Sequence, residues 1–162
     1  MKILFVQTGG TIDKDYPKPL MGYAFEIGEP AVERILYRVH PNFVSSVTQL
    51  LKKDCLDITD EDRAKIREAC LRADADKIIV THGTDTIIQT AKELRNIKDK
   101  TVILTGAAKP EKFTDSDAAF NVGTAVGAVN VVEDGVYIAM NGRVLPWNRV
   151  KRDRKTGQFI EK

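Results

Sequence analysis

The sequence predicts an α/β domain of three layers, Rossmann-like or flavodoxin-like, built around a mainly parallel sheet. Three observations carry that reading. Segments that read as strands recur at 2–7, 43–51, 78–80, 101–104 and 136–140, and Ile78, Ile79 and Val80 are the short β-branched run that a strand buried on both faces shows. Stretches with helical apolar spacing separate them, which calls for right-handed crossovers between parallel strands. Three of the runs end in similar chemistry: Thr8-Gly9-Gly10-Thr11, Thr81-His82-Gly83-Thr84 and Thr105-Gly106. In a parallel sheet those turns share one edge, where ligands bind beyond the strand ends.

The elements follow in order. KILFVQ at 2–7 is the first strand, and its apolar run is too short for a signal peptide. From Asp13 to Glu29 the chain turns loop-like for about 17 residues, with Pro17, Pro19, Gly22 and Gly28 and no periodicity. Loops of that length act as lids or binding loops, and Tyr23 and Phe25 give this one aromatic cover. Pro30 suits a first helical residue, and Val32, Ile35 and Leu36 form a short helical face. After the 43–51 strand, Asp54 to Ile58 reads as a turn. Thr59-x-x-Asp62 then resembles a capping box for a helix lined by Ile66, Ala69, Cys70 and Ala73.

The central unit is KIIVTHGTDTIIQTAKELR at 77–95, which reads as strand, polar turn, helix. Thr86-x-x-Gln89 predicts a capping box there, with the helix starting near Asp85 or Thr86. A last helix at about 118–129 follows Thr114-x-x-Asp117. Its Gly123, Ala125, Gly127 and Ala128 predict a very close approach to the sheet or a neighbour. The final 14 residues, RVKRDRKTGQFIEK, hold six Lys or Arg against two acids. Without interleaved aromatics they read as a solvated tail that lends one or two cations to the pocket, rather than as a nucleic-acid contact.

Composition bounds the function. A chain of 162 residues is one domain with room for a sizeable core. It is 43% hydrophobic and 30% charged with a net charge of +2, too small to argue for nucleic acid. No apolar run approaches the roughly 18 residues of a membrane span. Cys55 and Cys70 show no close pairing, which suggests reduced thiols in the cytoplasm. His40 and His82 stand far apart, so no metal site is expected.

Thr11, Thr84 and Asp85 carry the candidate chemistry. A threonine hydroxyl is a poor nucleophile at neutral pH and needs a polarising network and an oxyanion hole. Backbone N–H groups at Gly10 and its neighbours supply the hole, and Gly83 is a further substrate-binding candidate. Asp85, at a helix start, stays ionised and orients a hydroxyl, with Lys151 or Arg152 as its cation. These parts fit nucleophilic hydrolysis of a small carbonyl compound. A glycine-rich turn after a strand equally fits a phosphate cradle, although the P-loop and full dinucleotide fingerprints are absent. His82 and Lys109 read as structural and surface residues, Cys55 as a small partly buried one, and Asp85 could simply cap its helix.

TGGTI at 8–12 and HGTDT at 82–86, in order and each after a strand, resemble the two signatures of the bacterial-type L-asparaginases, amidohydrolases that also act on glutamine. Gly106 to Pro110, then Asp117 and Phe120-Asn121, are similar to a third family stretch. The resemblance runs through nearly the whole chain and covers only the family's N-terminal domain, so 1–162 looks like a single-domain form. It implies that Thr11 is the nucleophile and that Thr84 and Asp85 are the second threonine and its aspartate, which also holds the substrate amino group. It further implies a loop tyrosine beside Thr11. Phe25 falls at that position and Tyr23 two residues earlier; Tyr23 is favoured because phenylalanine has no hydroxyl. The family lysine falls at Arg152, with Lys151 one residue early. The family serine that holds the substrate carboxylate is replaced by Cys55, with Asp57 nearby. The resemblance implies hydrolysis of L-asparagine to aspartate and ammonia with no cofactor, and a homodimer or higher oligomer to close the pocket. The alternatives are a non-catalytic module that binds a small amino acid or amide, and an amidohydrolase for another amide.

Overall fold

The computed structural model describes residues 1–18 and 24–162. The chain runs β1 (Lys2–Gly9), a 3-10 turn (Thr11–Asp13), β2 (Lys14–Asp15), β3 (Glu26–Ile27), α1 (Ala31–Val39) and β4 (Val44–Lys53). A second 3-10 turn (Cys55–Asp57) leads to α2 (Asp60–Arg72), β5 (Lys77–Thr81), α3 (Ile87–Glu93), β6 (Thr101–Thr105) and α4 (Ala118–Val129). The chain closes with β7 (Gly135–Met140), β8 (Arg143–Pro146), β9 (Val150–Arg152) and β10 (Phe159–Glu161).

The main sheet has the order β4-β1-β5-β6-β7-β8. Its first five strands are parallel, and β8 returns antiparallel on β7. Taken by chain order, the five parallel strands run second, first, third, fourth, fifth, the flavodoxin-like arrangement. The order reverses between β1 and β5, so a crevice opens where these two strands end. Strand alternation sorts the core. Ile3, Phe5, Ile79 and Ile103 face α1 and α4, meeting Val32, Ile35, Val122 and Ala125. Val6, Ile78, Val80 and Leu104 face α2 and α3, meeting Ile66, Cys70, Ile87 and Ala91. The anticipated three layers are therefore present.

Several local expectations meet the structure differently. The capping box at Thr59 forms in full, with Thr59 Oγ1 accepting from the Asp62 N–H at 3.2 Å and Asp62 Oδ2 accepting from the Thr59 N–H at 3.0 Å. Lys53 donates to the same Asp62 oxygen, and this bond leads the contacts that hold the carboxyl down at about 2. The box at Thr86 does not form. Thr86 is the N-cap residue of α3, but its hydroxyl donates to the Cys55 carbonyl at 2.8 Å, tying α3 to the turn after β4. Pro30 is the N-cap of α1 rather than its first residue, and the Asp13 carboxylate accepts the Ala31 N–H.

The α4 glycines do not serve a close approach. A Cβ at Gly123 or Gly127 would meet nothing within 4 Å, and Ala118, Val122 and Ala125 make the contact with the sheet. The basic C-terminal segment is not a solvated tail. Val150 and Phe159 are buried in the core beside β8, and β9 and β10 pair as a hairpin. Val150 and Phe159 are its two buried anchors; Lys151 stays exposed, while Arg152 is half-buried and lies over the Phe159 ring. The loop 13–29 also gains structure, since β2 pairs antiparallel with β3 at its base.

Candidate active site

The site is assembled where β1 and β5 stop. Thr8 Oγ1 donates to the Thr81 carbonyl at 2.8 Å, so the two strand ends are bonded side to side. The Gly10 N–H donates to the Lys53 carbonyl at 2.9 Å, which brings in the end of β4. Gly10 has φ +84°, and a Cβ there would stand 2.4 Å from the Cα and N of Gly83. At Gly83 a Cβ would stand 2.5 Å from Cys55 Cβ. Only residues without side chains allow the turns after β1 and β5 to touch backbone to backbone while the Cys55 side chain packs against the second. Thr11 and Thr84 each follow one of the touching glycines, so their side chains leave from adjoining points. Both are half-buried, and among the described residues neither hydroxyl has a protein hydrogen-bond partner.

Asp85 stands beside Thr84 with its side chain about half exposed (52%). Arg152 Nη1 donates to its Oδ1, and Cys55 Sγ lies 4.0 Å from its Oδ2. Arg152 is itself positioned: its Nε donates to the Gly157 carbonyl at 3.1 Å and its guanidinium lies 5.8 Å from the centre of the Phe159 ring. The buried Phe159 and the β9–β10 hairpin thus carry a cation to the mouth of the crevice. Lys151 is exposed, points to the other side of β9, and makes no ion pair with Asp85. Arginine stays protonated at any working pH, so this cation orients Asp85 but carries no proton.

Cys55 is buried (3% exposed) with a free thiol, and Asp57 is exposed at the far end of the same turn. Phe25 is exposed and stacks between Tyr16 and Phe113, with ring centres 5.7 and 5.8 Å apart. It covers the loop base. Tyr23 lies outside the described residues. Lys109 is exposed and paired with Asp115. A cavity of about 540 Å³ between α1, α4 and the loop after β6 is lined by Arg34, Arg38, Glu111 and Phe113, and includes none of the described candidates.

Two supporting residues escape the sequence reading. Asp13 is 1% exposed, and burial pushes its carboxyl up to about 6; among the described residues its Oδ2 has no hydrogen-bond partner, nor has Gln7 Oε1. Its position two residues after Thr11 is the available signal. Glu111 is buried against Arg34 and Arg38, and its N–H donates to the Ile12 carbonyl at 3.1 Å, next to Thr11. Asp117 and Asn121, in the stretch similar to a third family segment, brace the neighbouring turns. Asn121 donates to the Gly106 carbonyl and accepts the Asn141 N–H, joining the turns after β6 and β7. Asp117 accepts the Ala108 and Lys109 N–H groups, which fixes the loop after β6. His82 has the structural role expected of it. Its ring nitrogens lie 2.8 Å from the Gly83 carbonyl and from Thr90 Oγ1, and burial lowers its pKa to about 4.

A family model described as "Asparaginase, N-terminal" matches residues 2–158. The L-asparaginase of Thermococcus kodakarensis is 30% identical over 164 residues, covering 97% of this chain and 49% of that protein. Its solved structure superposes with a TM-score of 0.85, covering 99% of this chain and 51% of that one. A probable cytoplasmic L-asparaginase from Campylobacter jejuni is similar at 25% identity and a TM-score of 0.81, covering 99% of this chain and 52% of that one. A glutamyl-tRNA(Gln) amidotransferase component from Methanococcus vannielii is 40% identical over 72 residues, 43% of this chain and 17% of that protein. The chain spans about half the length of the asparaginases it matches. With both threonine turns meeting at one crevice and the match running from residue 2 to residue 158, this chain belongs to the asparaginase family and corresponds to that family's N-terminal domain.

Proposed function

We propose that this chain is an L-asparaginase-like amidohydrolase, a single N-terminal-type domain over 1–162, that releases ammonia from the side-chain amide of L-asparagine. The observation that carries the reading is the backbone contact of Gly10 with Gly83, from which Thr11 and Thr84 both emerge. Thr11 Oγ1 adds to the amide carbon, and backbone N–H groups of the glycine turns hold the oxygen that becomes charged. Collapse of that adduct breaks the C–N bond. The leaving nitrogen takes up the threonine proton and departs as ammonia, which leaves an ester on Thr11. Water, oriented by Thr84 and Asp85, then adds to the ester carbon; aspartate leaves and the hydroxyl of Thr11 is restored. Asp85, with one oxygen on Arg152, offers the other to the substrate ammonium group. Cys55 and Asp57 flank the place where the substrate carboxylate sits, and a thiol donates weakly there, so affinity for asparagine is low.

Tyr23 is proposed as the hydroxyl that covers Thr11, and the reaction needs no cofactor. The free thiols of Cys55 and Cys70 favour a reducing, cytoplasmic setting. Among the described residues no helix is long and apolar enough to cross a membrane. A homodimer or larger assembly is proposed to narrow the crevice.

Ammonia release from asparagine, glutamine and other primary amides tests the reading, with Thr11→Ala as the control. Turnover of asparagine that Thr11→Ala abolishes supports it. One observation favours a second reading, a binding module without catalysis: the cation at Asp85 is a guanidinium that cannot shuttle protons. Saturable aspartate binding without ammonia release at high protein concentration decides for that module.

A further inference from the structure

We propose that the outer edge of β4 pairs with β4 of a second copy of this chain, antiparallel, about a two-fold axis at Val47. This pairing is independent of the amidohydrolase reading. β4 is ten residues long, stands at the edge of the sheet and has β1 as its sole strand partner among the described residues. The Val44 N–H donates to the Met1 carbonyl at 3.0 Å. Strand alternation then commits the backbone groups of Val44, Ser46 and Thr48 to β1 and aims those of Ser45, Val47 and Gln49 outward. Among the described residues those outward groups have no backbone partner.

Edge strands in monomers are protected by proline, by charges or by bulges. From Val44 to Leu51, VSSVTQLL, this edge has no proline and no charge of its own, and its register with β1 is unbroken through Gln49; among the described residues the one charge laid on it is the Glu29 carboxylate, which accepts from Gln49 and is neutralised by Lys52. On the strand itself Val44 is exposed (66%) and Val47 is only partly buried. A groove of about 340 Å³ lined by Leu4, Val6, Ser46, Thr48 and Ala73 runs along the face toward α2. A ladder alone buries less than the roughly 800 Å² per partner of a stable interface, so the pairing also has to cover Val44 and this groove.

The occupant follows from charge and symmetry. A two-fold axis perpendicular to a continuous sheet pairs odd residues with odd ones. Centred on Val47, it sets Val47 against Val47 and Ser45 against Gln49 in both directions, which are the positions with outward backbone groups. Lys52 of each copy falls opposite Asn42 of the other, so the cations stay at opposite ends and no like charges meet. Pro41, which lacks an N–H, falls opposite Lys53 and ends the ladder. The pairing brings the 40–43 turn of one copy alongside Leu51–Lys53 of the other, at the rim of the threonine crevice.

The test is sedimentation equilibrium or light scattering of the 162-residue chain at ~50 μM, with amide exchange read residue by residue. Twice the chain mass is expected, with slow exchange at Ser45, Val47 and Gln49. Ser45→Lys/Gln49→Lys places like charges opposite each other and should give the single-chain mass with an unchanged circular dichroism spectrum. Ser45→Glu/Gln49→Lys places opposite charges in the same positions and should restore the doubled mass. A parent protein at the single-chain mass overturns the proposal, as does a doubled mass that survives Ser45→Lys/Gln49→Lys. If the Glu/Lys pair fails to restore the doubled mass, the register centred on Val47 is wrong. Fast exchange at the three amides in a chain of single mass leaves the edge open to an unrelated extended peptide instead, and also overturns self-pairing.

Discussion

Two carboxylates near the threonine turns are held by arginine, and they are held for different ends. Glu111 has 2% of its side chain exposed and takes Arg34 on one oxygen and Arg38 on the other. Burial alone pulls its carboxyl upward, but the hydrogen bonds from both arginines outweigh it and hold the group below the ordinary carboxylate range. Asp85 is half exposed and takes one arginine, and among the described residues its second oxygen faces only a thiol at 4.0 Å. A buried acid with every oxygen on a cation is a fastener, here locking the loop after β6 to α1 and, through Ile12, to the turn that carries Thr11. A half-exposed acid with one oxygen uncommitted can bind something else. Burial and unspent valence, more than the type of pair, separate the structural charge from the chemical one.

The largest effect expected at the open end of this comparison concerns the hydroxyls. Thr11→Ala and Thr84→Ala should each lower kcat for asparagine by ~10³-fold or more, about 4 kcal/mol of barrier. Both side chains sit in surface turns without protein hydrogen bonds among the described residues, so melting temperatures should stay within a degree or two, about 0.5 kcal/mol. A variant that keeps its rate would remove that threonine from the reaction.

The opposite pattern is expected at the closed end. Glu111→Ala leaves two arginines facing each other and should cost about 3 kcal/mol of stability in urea melts. Asp85→Ala should cost under about 1 kcal/mol, since half-exposed pairs contribute little, and yet abolish turnover. Equal stability losses from the two variants would erase the distinction between fastener and functional acid.

This division also marks what the sequence makes legible. The switch point between β1 and β5 can be read because it is written locally: an apolar run, two glycines, then a hydroxyl, and a second strand end of similar chemistry. Thr59-x-x-Asp62 is readable for the same reason, since the cap is satisfied within one turn. Glu111 is not, because its partners lie 77 and 73 residues earlier on α1 and nothing near it in sequence signals burial. Asp13 hides inside a loop-like stretch, where a buried carboxylate is the least expected residue. The β9–β10 hairpin escapes because only Val150 and Phe159 anchor it, and two apolar residues nine positions apart among six cations give no periodicity to read. The glycines of α4 mislead for a related reason: small residues fit a tight contact and an open face equally, and only the Ala118, Val122 and Ala125 periodicity tells which face is which.

Asp13 links the two regions, since it lies between Thr11 and the arginines and is buried without a cation on its free oxygen. Its carboxyl titrates at about 6 in the fold against an ordinary 3.8. The folded state therefore binds this proton more tightly than the unfolded chain does. The cost of ionising it is absent below 3.8, grows between 3.8 and about 6, and is constant above; at ~1.4 kcal/mol per pH unit it reaches at most about 3 kcal/mol. Asp13→Asn keeps an acceptor for the Ala31 N–H and removes the charge. Its stability relative to the parent should be near zero at about pH 4 and favourable above about pH 6, read from urea melts across that range. A difference that does not change with pH would mean that Asp13 is already paired in solution.

The smallest effect on rate among the site variants, and the most informative on chemistry, is expected at Arg152. Its pair with Asp85 is partly hydrated, so Arg152→Ala should lower stability by less than about 1 kcal/mol. If the cation serves only to aim Asp85, kcat should fall roughly tenfold in Arg152→Ala, about 1.4 kcal/mol of barrier, and KM should rise as the substrate ammonium loses an oriented partner. Arg152→Lys keeps the charge but gives up the bond to the Gly157 carbonyl and much of the contact with Phe159. An ammonium can release its proton where a guanidinium cannot. The lysine variant should therefore recover most of the rate and add an alkaline limb to the pH profile that the parent lacks. Recovery without the new limb would leave the cation purely electrostatic, while no turnover in parent, alanine and lysine forms alike would move the whole crevice from catalysis to binding.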